Sequence, residues 1–372
     1  MPVKLSKSRL AAGRWNIRKA FAVDLRLLFS YRGRVFSSPI ATTKRMPGGI
    51  FFVATLCSVA LACGAARAAE YTIAVIPKGT THEYWKSIHA GAVKASRDLK
   101  NGGDTVHIIW KGPLREDDRE QQIQVVENFL TGNVKGIVLA PLDSKALVAP
   151  VETATQSGVP VVIIDSGLES QDYVSFVATD NFKGGQEAAD RLGEVMGGQG
   201  KAIMLRYQEG SASTEQREAG FLDEFQKKFP GIKIISSDQH SGATRDTAYQ
   251  AGQNLLNRFG NEVTGIFTPN ESSCAGMVLA LRDAGLAGKV KHVGFDSDGP
   301  LLDALKAGEL QGLVVQDPFQ MGYIGVKTMV ASLKGDKVEK KIDTPVQLVT
   351  KENLEDPAIK TLINPPLDEY LK

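Results

Sequence analysis

From about residue 70 to residue 350, short continuous apolar runs alternate with amphipathic stretches. Tyr71–Ile76 (YTIAVI), Val106–Trp110, Gly136–Leu139 (GIVL) and Val159–Ile164 (VPVVII) read as strands. Between them, apolar or small residues recur at helical spacing: Trp85, Ile88, His89, Ala92, Val93 and Ser96 within 85–99, and Ile123, Val126, Phe129 and Leu130 within 121–130. Residues 144–156 read as a third helix. The rhythm then repeats. Strands are predicted at 174–178, 202–205, 232–236, 265–268, 290–294, 310–315 and 346–349. Helices are predicted after Asp180-Asn181 and at 214–229, 246–259, 271–284, 301–307 and 322–333. Strands that are unbroken Val/Ile/Leu runs suit a parallel sheet covered on both faces, and short links between strand and helix imply right-handed βαβ units. The pattern predicts an α/β chain of two doubly wound parallel-sheet lobes in succession, with no low-complexity linker between them.

In such sheets ligands bind beyond the carboxyl ends of the strands. Those ends are polar here. YTIAVI is followed by Pro77-Lys78-Gly79-Thr80-Thr81-His82-Glu83-Tyr84-Trp85, GIVL by Ala140-Pro141-Leu142-Asp143, and VPVVII by Asp165-Ser166. In the second half, Arg206-Tyr207 and a loop lead to Ser213-Thr214-Glu215-Gln216-Arg217. GIFT is followed by Pro269-Asn270-Glu271, HVGF by Asp296, and LQGLVV by Gln316-Asp317. Carboxylates, amides and a guanidinium can pair with hydroxyls, while Tyr84 and Trp85 offer flat apolar faces. A sugar ring presents both chemistries. Taken singly, Asp165, Asn270 and Asp296 also read as helix caps, and Tyr84 and Trp85 as core. Strand ends of the same character in both halves of the chain point to a shared site.

The first 69 residues differ in kind. Met1–Arg45 holds eleven Lys or Arg and one acid, Asp24; the mostly apolar run Ile50–Ala62 follows, then Ala66-Arg67-Ala68. A basic segment, a short apolar core and a small-x-small site form a secretory signal. The run is shorter than the roughly 20 residues that cross a bilayer. Met46, after Lys44-Arg45, offers a second start. Residues 1–45 then become an upstream extension and 46–68 the signal peptide. The alternatives are an uncleaved anchor and a lipoprotein modified at Cys63. Without residues 1–69, Lys+Arg falls from 44 to 32 and Asp+Glu from 42 to 41, moving the formal net charge from +2 to −9. So acidic a chain is a poor nucleic-acid partner. Only Cys274 remains, which excludes an intrachain disulfide.

The patterns of catalysis are missing from the sequence. His82-Glu83-Tyr84-Trp85-Lys86 opens like a zinc-protease helix, but Lys86 stands where the second histidine belongs. There is no G-x-S-x-G elbow. Gly197-Gly198-Gln199-Gly200-Lys201 lacks the spacing and hydroxyl of a phosphate loop and precedes a strand, so it reads as a turn. No dinucleotide fingerprint follows the first strand. Neither an enzyme nor a bound cofactor is expected.

The segments TIAVIPKGTTHEYWKSIHAGA (72–92), GIVLAPLDS (136–144), VPVVIID (159–165), STEQREAGF (213–221), GIFTPNESSCAG (265–276), HVGFD (292–296) and GELQGLVVQDPFQMGY (308–323), with FVATDNFKGG (176–185), occur in the order found in type I periplasmic sugar-binding proteins. The chain resembles that family, above all its ribose-binding group. The resemblance implies two lobes joined by a three-segment hinge, crossing near Thr179, Gln316 and Val346. The N-terminal lobe is then 70–179 plus 317–346 and the C-terminal lobe 180–316 plus 347–372. It also implies a periplasmic monomer that delivers a sugar to an ABC permease. The alternative output is autoinducer-2 or another oxygen-rich ligand, signalling through a sensor or chemoreceptor. Carried over by residue, the ligand positions fall on Lys78, His82, Tyr84, Trp85, Ala140, Asp165, Ser166, Arg217, Asn270, Asp296 and Gln316. Ala140, Ser166, Lys78 and His82 depart from the ribose pattern, and a second-lobe aromatic is missing near Ala243. Lys78 is expected to reach an oxygen-rich or acidic ligand group. Sugar-responsive repressors share the fold but carry a DNA-binding segment where this chain has its apolar leader.

Overall fold

The computed structural model describes residues 69–372, so the expected signal peptide and Cys63 lie outside the described residues. The chain runs β1 (Glu70–Ile76), α1 (Glu83–Asn101), β2 (Thr105–Trp110), α2 (Arg119–Leu130), β3 (Gly136–Leu139), α3 (Val148–Gln156), β4 (Val161–Ile164) and β5 (Ser175–Thr179). It continues as α4 (Asn181–Val195), β6 (Gly200–Met204), α5 (Ala212–Lys228), β7 (Ile232–Ser236), α6 (Arg245–Phe259), β8 (Gly265–Phe267), α7 (Glu271–Asp283), β9 (Lys291–Phe295), α8 (Gly299–Ala307) and β10 (Gly312–Gln316). Then come α9 (Pro318–Leu333), β11 (Lys341–Thr344), β12 (Val346–Val349), α10 (Pro357–Ile363) and α11 (Leu367–Tyr370).

The strands form two six-stranded sheets, ordered β11-β5-β4-β3-β1-β2 and β12-β10-β9-β8-β6-β7. Each is the order of a doubly wound sheet, and the five positions beyond β11 and β12 correspond in order: β1 answers to β6, β4 to β9, β5 to β10. All pairings are parallel except β10 with β12. The apolar runs are inaccessible throughout β3, β4, β8 and β10 because helices cover both sheet faces. In the first lobe Ile73, Val75, Val138 and Val162 face α1 and α9, and Ile76, Ile137, Leu139 and Ile163 face α2 and α3.

The chain passes from the first sheet to the second after β5, returns after β10, and crosses again between β11 and β12. Two of these strands touch where they cross: Thr179 Oγ1 and Thr344 Oγ1 lie 3.3 Å apart. Two features differ from the sequence reading. Strand β11 is an exposed edge strand, KIDT, whose alternation of Lys, Ile, Asp and Thr gives no apolar run. The tail, expected wholly in the second lobe, divides. Helix α10 packs on the second lobe through Ile359, Leu362 and Ile363. After Pro365-Pro366, α11 lies on α1, where Arg97 donates to the Glu369 carbonyl (2.9 Å) and covers the Tyr370 ring.

One close approach shapes the site. Helices α4 and α5 meet at Gly185 and Gly220: a Cβ on Gly185 would overlap the Arg217 carbonyl, and one on Gly220 the Phe182 carbonyl. The absence of side chains at these two positions brings Arg217 within reach of the hinge.

Candidate ligand-binding site

The carboxyl ends of both sheets face each other across a cleft lined by residues of both lobes. Asp165 follows β4 and Asp296 follows β9, so they are equivalent in the two lobes. Both adopt left-handed backbone, φ 64° and 63°, the only non-glycine residues among the described residues to do so. Aspartate tolerates this conformation better than most, yet it costs about 1–2 kcal/mol at each site. The bend turns each carboxylate off the end of its strand and into the cleft.

From the first lobe, Tyr84 and Trp85 stand at the start of α1 with rings edge to face, 5.1 Å apart. Tyr84 Oη donates to Asp165 Oδ1 at 2.7 Å. Lys78 is buried, with Nζ 3.2 Å from Asp165 Oδ2, 3.3 Å from Ser211 Oγ and 3.1 Å from Ser213 Oγ. Three partners use all three ammonium donors. The expectation that Lys78 reaches a ligand therefore meets no free hydrogen in this arrangement. From the second lobe, Arg217 donates through Nε to Asn181 Oδ1 (2.8 Å) and through Nη1 to the Pro269 carbonyl (3.0 Å). Its guanidinium lies 3.9 Å from the Phe295 ring centre and 3.7 Å from Asp296 Oδ2. Nη2 has no hydrogen-bond partner among the described residues. Gln316, at the end of β10, donates Nε2 to Asp296 Oδ1 at 2.7 Å, while its Oε1 is buried and unpartnered.

His82, Trp85 and Glu116 form a second cluster at the cleft wall. Glu116 Oε1 accepts from His82 Nδ1 (2.7 Å) and Trp85 Nε1 (2.8 Å); Oε2 accepts from Tyr207 Oη (2.8 Å). Burial alone would raise the Glu116 carboxyl, but the hydrogen bond and charge of His82, with Lys78 and Trp85, bring it down to about 2. Burial opposes the His82 charge, yet Glu116 more than offsets it and the imidazole is raised. Burial raises Asp296 and Glu271, and holds Tyr84 and Tyr207 well above the ordinary phenol range.

Of the residues singled out in the sequence, Lys78, His82, Tyr84, Trp85, Asp165, Arg217, Asn270, Asp296 and Gln316 line this one cleft. Asn270 lines it as the cap of α7: Oδ1 accepts from Ser273 and Nδ2 donates to Ser272. Ser166 is buried beside the cleft, its Oγ accepting from the Ser213 amide at 3.1 Å. Ala140 is buried in the first-lobe core, its carbonyl held by Gln122. Five lining residues were not predicted: Glu116, Tyr207, Ser213, Thr214 and Glu271. Four of them stand in strand-end segments already marked as polar. Glu116 follows β2, the strand end left out of that reading, and the same rule would have found it. Tyr207 supplies an aromatic on the second-lobe side, where the sequence near Ala243 has none. Glu271 is fixed by Arg245 (2.5 Å) and accepts from the Tyr84 amide across the cleft (3.3 Å).

Every cation at the cleft is already neutralised: Lys78 by Asp165, His82 by Glu116, Arg217 by Asp296, Arg245 by Glu271 and Asp298. Such a site offers hydrogen bonds and aromatic faces with no uncompensated positive charge.

Residues 73–337 match the family described as periplasmic binding protein domain. The D-allose-binding periplasmic protein of Escherichia coli (strain K12) is 31% identical over 296 residues, covering 77% of this chain and 92% of that protein. A carbohydrate transporter solute-binding protein from Agrobacterium radiobacter, solved in complex with D-arabinose, is 40% identical with a TM-score of 0.75, covering 80% of this chain and 99% of that one. An ABC transporter solute-binding protein from Agrobacterium vitis with bound D-fucose is 35% identical with a TM-score of 0.74, covering 79% and 100%.

Proposed function

The chain belongs to the periplasmic binding protein family, and from that premise we propose that it captures a neutral monosaccharide between its lobes and presents it to an ABC importer. It is a solute-binding protein and not an enzyme. The observation that carries the ligand class is the Gln316 Oε1 atom: a buried acceptor without a partner, beside two carboxylates that the backbone turns into the same space. An unpaired buried acceptor costs about 1–3 kcal/mol, so a hydroxyl donor that reaches it gains more than it would in water.

The roles divide by what each side chain has left to offer. Asp165 and Asp296 keep lone pairs for sugar hydroxyls. Arg217 keeps the hydrogens on Nη2. Tyr84 and Trp85 offer ring faces to the apolar face of a pyranose or furanose. Lys78 and His82 act one step behind, fixing Asp165 and Glu116, and Asn270 shapes the rim as a cap. An acidic ligand is disfavoured because no cation is left unpaired. A ligand held by groups from both lobes has more contacts when they are closed, so binding shifts the population toward closure. The relatives named for D-allose and ribose binding, and the structures solved with D-arabinose and D-fucose, make autoinducer-2 signalling the less favoured reading. The permease as docking partner, export by the leader and a monomeric state belong to the same proposal. Among the described residues no helix is long and apolar enough to cross a membrane.

A thermal-shift panel of D-arabinose, D-fucose, D-tagatose, D-allose, D-ribose, sugar acids and autoinducer-2 tests it. At a thousand times its Kd, the cognate sugar adds about 4 kcal/mol of stability, visible as a rise of roughly 8 °C or more. A response confined to sugar acids or to autoinducer-2 would refute the neutral-sugar reading.

A further inference from the structure

The lobes meet through direct hydrogen bonds, and their second-lobe partners are concentrated in one stretch, the β6–α5 loop and the start of α5. Tyr207 Oη bonds Glu116, Gln208 Nε2 donates to the Glu116 carbonyl (2.8 Å), and Arg119 donates to the Glu209 carbonyl (2.8 Å). The Ser144 amide donates to the Gly210 carbonyl (2.9 Å), and Lys78 holds Ser211 and Ser213. At the centre is Glu116, a buried first-lobe carboxylate that sequence reasoning passed over. Two of its donors, His82 and Trp85, belong to its own lobe; the third, Tyr207, belongs to the other. Tyr207 is itself anchored, because its amide donates to Glu218 Oε1 at 3.0 Å and Glu218 is paired with Arg206.

We propose that Glu116 is a positioning residue for ligand capture: a single buried carboxylate that fixes the indole of Trp85 in stacking orientation and, through Tyr207, latches the second lobe onto the first. The two duties are coupled by geometry. With the lobes apart, Oε2 faces water and the first-lobe bonds remain. With the lobes together, Oε2 is desolvated and needs the tyrosine hydroxyl, so the latch forms only in the aligned closed state. A misaligned closure would leave a buried charge short of a donor, which is strongly unfavourable. The latch therefore selects one closed geometry, the one in which Trp85 is already placed. Its bonds run from protein to protein, so part of the free energy of closure is independent of any sugar.

The proposal rests on the cleft being the ligand site, and its test separates the two. Cysteines introduced at the exposed positions Asn128 and Asn257, one on each lobe, carry a donor and an acceptor dye; Cys274 is buried. Energy transfer in sugar-free protein reads the closed-to-open ratio. Tyr207→Phe removes the bond between lobes and leaves Trp85 and His82 paired, and it is expected to lower the ratio by about tenfold or more. Glu116→Gln should lower it at least as far, and the double variant no further than Glu116→Gln alone. In a Trp110→Phe background, Trp85 is the remaining tryptophan outside the leader. Its emission should shift further in Glu116→Gln, which also loses the indole's charged partner, than in Tyr207→Phe, where only the opening of the cleft acts on the ring. D-arabinose is titrated in parallel, and its affinity should fall by the same factor as the closed fraction. Wild-type energy transfer in Tyr207→Phe overturns the latch. A Trp85 emission shift no larger in Glu116→Gln than in Tyr207→Phe overturns the positioning role. A wild-type protein that ignores every sugar, while Tyr207→Phe still opens it, sinks the sugar reading and leaves the latch standing.

Discussion

Gln316→Met separates binding from stability at one atom. The glutamine is buried at the end of β10, where the chain leaves the second lobe. Its amide has two halves with opposite effects. Oε1 is unpartnered and costs about 1–3 kcal/mol, while Nε2 donates to Asp296 Oδ1 at 2.7 Å, a charge-assisted bond that contributes about 1.5–3 kcal/mol. Methionine has nearly the same length and no polar hydrogen, so it removes both together. The two contributions nearly cancel, and the melting temperature of the sugar-free protein should move by less than about 5 °C. Binding has no such cancellation. The variant loses an acceptor for a sugar hydroxyl, and Asp296 loses the donor that orients its carboxylate. The sum is about tenfold in Kd, from roughly 1 kcal/mol for the neutral bond plus the loss of alignment. Calorimetric titration with the best sugar of the panel, beside thermal melts of both proteins, gives the two numbers. An affinity within about twofold of wild type removes Gln316 from the ligand contacts. A melting temperature lower by about 10 °C or more makes its role structural and refutes the reasoning.

Asp165→Ala and Asp296→Ala should each weaken sugar binding by more than about tenfold, because each removes a charged acceptor turned into the cleft; titration checks both, and loss in only one lobe would reject the symmetric role of the two carboxylates. The Glu116–His82 pair makes stability depend on pH with opposite limbs. The Glu116 pKa is depressed in the fold to about 2, so its contribution is present above the ordinary carboxylate value and is lost as pH falls toward 2. That of His82 is raised, so its contribution is full below about 6.5 and is lost as pH rises through the folded value. Melting temperatures between pH 2 and pH 9 should show the pair contributing most from about 4.5 to 6.5, and Glu116→Gln should flatten both limbs; parallel curves for the two proteins would contradict the assignment. Gly185→Ala forces a methyl group against the Arg217 carbonyl. It should cost about 1–3 kcal/mol, several degrees in melting temperature, and lower sugar affinity through the displaced guanidinium. An alanine variant with wild-type melting and affinity would show that α4 and α5 can part without cost.

Much of the cleft lining was visible in the strand-end rule. Asp165, Arg217, Asp296 and Gln316 each follow an apolar run or begin the next helix, and sheet topology brings such positions to one edge. What the rule could not supply was the state of each side chain. Lys78 reads as a free cation in the sequence, and burial against Asp165, Ser211 and Ser213 makes it part of the interface. Asn270 reads equally as ligand contact or helix cap, and the Ser273 and Ser272 contacts show its amide at work in the cap. Tyr370 and Glu369 gave no sign that the tail returns to the first lobe. That contact pairs residues 272 positions apart, and no local periodicity encodes it.

The sequence by itself determined two things about this protein. One was the repeated βαβ rhythm, because strands buried on both faces must be continuously apolar whatever their neighbours. The other was the polar character of the strand ends, because backbone leaving a parallel sheet turns toward solvent or ligand. Tertiary structure alone decided which polar groups neutralise one another and which are left over. A buried carboxylate such as Glu116 takes its partners from two distant segments, His82 and Trp85 at the start of α1 and Tyr207 after β6, and a lone acceptor such as Gln316 Oε1 is defined only by what fails to reach it. Hydrogen bonding and desolvation act over a few ångströms of space, and chain order fixes those distances only once two lobes have met.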